Sequence, residues 1–170
     1  MLNEIKESVW GQFAASMDMF KNALDACPEE TWEADRKFFL ISFHCLFFLD
    51  YFLTNPPKDF KSTFKYSIAE PGKIPEGQLD DIIPGEPYDK ADLLAHLAAS
   101  RQKCRNLIDG LTEDGLASRW IEEGEGGLNY NLVEMLIYNM RHVQHHAAQL
   151  NMMLRNHINS APGWIGRIEW

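Results

Sequence analysis

Apolar residues recur along this chain at steps of three and four, and sustained β-branched alternation is scarce, so the pattern predicts helices rather than strands. Between Asn3 and Ala26, the residues Ile5, Val9, Phe13, Met17, Phe20 and Leu24 fall on one stripe. Asn3 is of a type that caps a helix start, and Cys27-Pro28 closes the segment because the residue before a proline avoids the helical region. A second helix is predicted from Arg36 to Thr54, stopping at Asn55-Pro56-Pro57. It is apolar almost all round, which calls for burial on several sides. A third spans Asp89 to Asp109, with Leu93, Leu97, Ser100, Cys104 and Leu107 on one stripe and Gly110 placed as a C-terminal cap. A fourth runs from Asn129 to His157 and ends at Asn159, Pro162 and Gly163.

Between the second and third helices the texture changes. Pro56 to Pro87 holds six prolines and three glycines and keeps no period. Connections in compact domains are usually a few residues long, so one near thirty is functional or mobile. It reads as a crossover that spans the bundle and covers one end, with a short turn of helix compatible with Gln78 to Ile83. Glu122 to Gly127 is a flexible acidic loop, and the tail GWIGRIEW carries two tryptophans that must pack on the bundle or on a second copy of the chain. Three helices near 20 residues and a last one nearer 28, roughly 30–40 Å long at 1.5 Å per residue, find their natural packing in a four-helix bundle. The expected class is therefore all-α, a four-helix bundle with a long crossover between helices 2 and 3, forming one domain over residues 1–170.

Composition narrows the partners. With 45% hydrophobic and 12% aromatic residues the chain is not disordered. Its 25 Asp and Glu against 16 Lys and Arg give a formal charge of -9, which counts against a nucleic-acid binder and against an anionic membrane surface. Phe38 to Leu53, the most apolar run, carries His44 and Asp50 and falls short of a spanning helix. The start, MLNEIKESVW, has neither the basic nor the apolar region of a signal peptide. Three widely spaced cysteines, Cys27, Cys45 and Cys104, fit reduced thiols and a cytoplasmic location.

Candidate chemistry concentrates in the fourth helix. Met135, Asn139, His142, His146, Gln149 and Met153 are spaced 4, 3, 4, 3, 4, the seam a bundle helix points at its partners. Such a seam is normally Leu, Ile or Val, and this one holds four polar residues in its middle. Burying an imidazole or amide without a partner costs on the order of 1–3 kcal/mol, so four together need a common explanation. A metal ion supplies one. Histidines at i and i+4 lie on one helix face and reach a single ion, and His44, within the Phe-rich second helix, is the candidate third ligand. Three neutral histidines leave a position for water or substrate, as in catalytic zinc sites. Asn139 and Gln149 then stand where they can orient an imidazole or a bound water. The plainer reading stays open: a buried histidine is often a core residue bonded to a neighbour, and HxxxH occurs in ordinary helices.

The other titratable groups add less. His145 falls off the seam as a flanking or surface residue, His96 reads as structural with a fourth-ligand role left open, and His157 is expected to meet the C-terminal carbonyls of its helix. Asp50 does not share the face of His44, Glu134 sits one residue before the seam, and Cys45 reads as a buried structural thiol. No catalytic residue is assigned.

The string RHVQHHAAQLNMMLR, with a single His in the aromatic helix SFHCLFFLDYFL and Trp32 in PEETW, resembles the DinB-like superfamily. The resemblance covers nearly the whole chain, and its most specific part is HxxxHxxQ after a remote His. It implies a four-helix bundle, a divalent metal, commonly zinc or nickel, held by His44, His142 and His146, and often a dimer. The superfamily includes metal-dependent thiol transferases of the bacillithiol and mycothiol type, so the resemblance implies activation of a low-molecular-weight thiol, or of water, toward a small-molecule substrate. Ala147-Ala148 stand where a glycine often occurs. Two other readings stand beside the enzyme: a non-catalytic metal- or ligand-binding stress-response protein, and a structural homodimer whose polar seam is satisfied by water.

Overall fold

A computed structural model describes all residues from Met1 to Trp170. Four long helices, α1 (Leu2–Ala26), α3 (Arg36–Phe52), α4 (Lys90–Asp109) and α6 (Leu132–Ile158), form the bundle. Two short ones, α2 (Glu29–Ala34) and α5 (Glu113–Leu116), sit in the connections. Two antiparallel ribbons complete the fold: β1 (Tyr66–Ile68) with β2 (Ile82–Pro84), and β3 (Arg119–Ile121) with β4 (Asn129–Asn131).

Each helix forms where the stripes place it, with differences at the ends. α1 starts at Leu2, so Asn3 lies inside its first turn instead of capping it. α4 is closed at its start by a reciprocal capping box, Asp89 with Asp92. α6 begins at Leu132, because Asn129 to Asn131 pair as β4 and Asn131 then accepts from the Glu134 amide as the N-cap. The helical turn considered at Gln78 to Ile83 does not form. Ile82 and Ile83 enter β2 instead, and their β-branched side chains favour that extended ribbon.

Contacts between helix ends fix the topology. Lys6 Nζ donates to the Asp109 carbonyl at 2.7 Å and Lys90 Nζ to the Cys27 carbonyl at 2.9 Å, so α1 and α4 are antiparallel. Lys103 meets Asp50 at 2.5 Å and His96 meets the Leu46 carbonyl at 3.3 Å, so α3 and α4 are parallel. Two parallel neighbours joined in sequence require a connection that returns the full helix length, roughly 25 Å for the shorter of the two. That requirement accounts for the long crossover. It travels over α3, setting Phe60 and Tyr66 against Phe47 and stacking Phe64 on His96.

The core is one cluster of 29 buried apolar residues drawn from all four long helices, the crossover and the α4–α5 turn. A smaller cluster of Phe52, Trp120 and Met135 closes the end where α3 finishes and α6 begins. The apolar surround of α3 and part of the tail find partners within the chain. α3 is covered by α4, α6 and the crossover, and the tail docks on α1, with the Ile168 amide donating to the Gly11 carbonyl at 3.0 Å. Arg105 reaches over Trp170 at 3.8 Å from the ring centre, while Trp164 points to solvent. No helix is long and apolar enough to cross a membrane.

Candidate metal centre

α3 and α6 pack antiparallel, which lets residues 98 positions apart face each other across the seam. His44 on α3 and His142 on α6 bring their Nε2 atoms to 3.2 Å, and His146, one turn further along α6, brings its Nε2 to 3.1 Å from that of His142. One ligand atom from each of the three residues lies within 4.8 Å of the others. His146 is buried at 5% exposure, and the His44 side chain is 18% exposed, so the cluster opens to solvent on the His44 side.

The far nitrogens determine what the near ones offer. His44 Nδ1 faces Asp80 Oδ2 at 2.5 Å, and His146 Nδ1 faces Gln149 Oε1 at 2.7 Å. A carboxylate and an amide oxygen only accept, so each Nδ1 carries the proton and each Nε2 presents a lone pair to the centre. His142 Nδ1 is buried with no partner at all. Burial first, and then the neighbouring imidazoles His146 and His44, push the His142 pKa down to about 2. Burial first, then His44, brings His146 down to about 4, against upward pulls from Gln149 and Asp80. Both rings are therefore neutral near pH 7, the form that ligates a metal.

A neutral His142 has one ring proton. Pointed at the centre, it satisfies one neighbour and leaves the other facing it lone pair to lone pair. Pointed outward, it leaves three lone pairs converging. Either way the centre is short of positive charge. Donors at roughly 2.0–2.1 Å from a tetrahedral ion stand about 3.3 Å apart, close to the 3.2 and 3.1 Å that separate His142 Nε2 from its two neighbours, so this donor set fits a divalent ion.

Aromatic rings wall the cluster. Phe48, one turn after His44, lies 4.9 Å from the His44 ring and 6.1 Å from that of His142, and Phe52 stands perpendicular to His142 at 5.9 Å. Phe48 also lines a cavity of about 320 Å³ together with Phe47, Tyr51, Phe60 and Tyr66.

The remaining sequence candidates separate cleanly. Gln149 touches His146, but Asn139 does not reach an imidazole: its Nδ2 donates to the Leu49 carbonyl at 3.0 Å, tying α6 to the backbone of α3. His145 is exposed with its ring beside that of His146. His96 lies outside the cluster, bonded to Thr63 and the Leu46 carbonyl, and burial lowers its pKa. His157 does not serve its own helix end; it pairs with Asp35 at 2.9 Å, at the start of α3. Asp50 pairs with Lys103, and Glu134 is exposed. Cys45 is buried, which pushes its thiol pKa well up and away from nucleophilic use.

Sequence reasoning missed Asp80. It lies 36 residues from His44, in a stretch without period, and nothing local separates it from an ordinary exposed acid. What places it is the ribbon. Asp80 Oδ1 accepts from the Ile82 amide at 2.7 Å, and Ile82 pairs with Ile68.

Compared with known proteins, residues 12–150 match the family model of the DinB superfamily, a span that contains the three histidines, Asp80 and Gln149. Neither a curated protein nor a solved structure matches this chain.

Proposed function

The chain belongs to the DinB superfamily, and from that membership together with the imidazole cluster we propose that it is a divalent-metal protein activating a low-molecular-weight thiol or a water. His44, His142 and His146 hold the ion, zinc or nickel, and Gln149 orients His146. The observation that supports this reading most is the surplus of lone pairs at the three converging Nε2 atoms, left by the partners of the far nitrogens. When bound, such an ion supplies Lewis acidity and lowers the pKa of a ligated thiol or water, making the nucleophile available near neutral pH. The chain's own part is to hold neutral donors in place and to keep water off them with Phe48 and Phe52. Its open side, next to His44, is the way in for a small electrophile.

Untagged protein is expected to retain about one equivalent of transition metal per chain and to gain thermal stability from added zinc or nickel, and His44→Ala to lose both. No retained metal and no stability gain would remove the reading. Catalysis is tested separately, by incubating metal-loaded protein with an electrophile and a panel of thiols, with His44→Ala as control. Metal binding without acceleration by any thiol, and without hydrolysis of the electrophile, would leave the non-catalytic metal-binding reading in its place.

A further inference from the structure

We propose that Asp80, carried by the crossover, is a positioning residue that fixes His44 as an Nε2 donor and thereby ties the crossover to the metal centre. This rests on the metal-binding reading above. The geometry assigns the role. Asp80 Oδ2 is 2.5 Å from His44 Nδ1, on the opposite side of the ring from the Nε2 that faces His142, so Asp80 cannot itself share an ion with that Nε2. Its two oxygens are divided: Oδ2 on the imidazole, Oδ1 on the Ile82 amide. The same carboxylate thus holds the first residue of β2 and the ring of a candidate ligand.

Two physical consequences follow. A carboxylate accepting from Nδ1–H excludes the tautomer that carries its proton on Nε2, and it raises the basicity of Nε2. It also places one negative charge beside the site, offsetting the charge of a divalent ion. The contact is only partly screened, with the two side chains 18% and 23% exposed. In the other direction, a His44 whose Nε2 held an ion would be a stronger donor to Asp80 through its Nδ1–H, and the contact would then hold β2, and with it β1, against α3.

The test compares wild type with Asp80→Ala, Asp80→Asn and, as a control one residue away, Asp81→Asn. Long-range 1H–15N correlations on metal-free protein read the His44 tautomer directly: Nδ1–H in wild type, a mixture in Asp80→Ala. Zinc affinity, by competition with a chromophoric chelator, is expected to fall about 10–100-fold in Asp80→Ala, the usual cost of losing a partner of a ligating histidine. The loss should be smaller in Asp80→Asn, which keeps an acceptor, and absent in Asp81→Asn. Zinc should slow amide exchange across residues 66–84 in wild type but not in Asp80→Ala. A wild-type His44 protonated on Nε2, an Asp80→Ala affinity within twofold of wild type, or equal slowing of exchange in both would overturn the proposal while leaving metal binding intact. A wild type that binds no zinc would overturn both readings together.

Discussion

His142 Nε2 stands between two other imidazole nitrogens, 3.2 Å from that of His44 and 3.1 Å from that of His146, while its own Nδ1 is buried without a partner. A group so placed is a liability to the metal-free fold. Leaving a buried polar atom unpaired costs about 1–3 kcal/mol, whereas an apolar group of similar shape avoids that cost. His142→Leu removes that orphan but also the ring that faces His146 Nε2, so metal-free stability is expected to stay within about 1 kcal/mol of wild type in urea titrations. The same variant should lose the zinc response, which at a free zinc concentration 100 times Kd adds about 2.7 kcal/mol to wild type. A metal-free loss of several kcal/mol would contradict this account of the centre.

Acid should weaken the metal-free protein through the same rings. Burial holds the folded-state pKa of His142 at about 2 and that of His146 at about 4, whereas an unfolded histidine titrates near 6.5. Below about pH 6.5 the unfolded chain takes up protons that the folded chain refuses, so stability falls as pH drops. The loss continues to about pH 4, where His146 protonates in place, and on toward pH 2 for His142. Urea midpoints in a chelating buffer at pH 7.5, 6 and 5 should decline, with a shallower slope for His142→Leu. A flat wild-type profile would rule this out.

Trp120 anchors the end of α3 from a strand 66 residues away, its Nε1 donating to the Thr54 carbonyl at 2.7 Å and its ring fully buried against Tyr51 and Phe52. Trp120→Ala is expected to cost about 3–5 kcal/mol, the range for emptying a buried aromatic site. Trp120→Phe keeps most of the packing but leaves the carbonyl unpaired, and should cost about 1–3 kcal/mol. Chemical denaturation of the two variants measures both, and a Trp120→Phe as stable as wild type would show that the hydrogen bond contributes nothing.

Gly11 admits the tail. A Cβ at this position would lie 3.1 Å from both the Arg167 side chain and the Ile168 carbonyl oxygen, inside normal contact. Gly11→Ala also gains about 1 kcal/mol of helix propensity. The expected result is a bundle of nearly unchanged stability whose last residues have left α1. Trypsin should then cut after Arg167 sooner than in wild type, while the core remains intact. Equal cleavage rates would mean that the tail yields without undocking.

Much of this arrangement is legible in the sequence, for reasons that can be named. His142 and His146 share a helix face by spacing alone, and polar residues on a seam that should be apolar mark the place where the fold spends burial on something other than packing. His44 was recognisable as the one histidine within an apolar helix. Asp35 was not foreseeable as the partner of His157, nor Leu49 as the partner of Asn139, because each depends on how far α6 slides along α3. Periodicity specifies which face is buried but not the axial register between two helices. Asp80 was invisible for a further reason: its position follows from the pairing of Ile68 with Ile82, and ribbons of three residues leave almost no trace in composition.

The parallel run of α3 and α4 bears on how the chain reaches its final form. The groups around the centre come from residue 44, from the crossover at residue 80, and from residues 142 and 146 on the last helix, so none of its contacts across α3 and α6 is local. Pairings this far apart close late, after most of the chain entropy has been surrendered. A chain whose final helix had not docked would leave the α6-facing side of α3 and its lone imidazole bare, open to association with other chains and to stray metal. Folding yield should therefore respond to chelators and to chain concentration more sharply than the stability of the finished protein does.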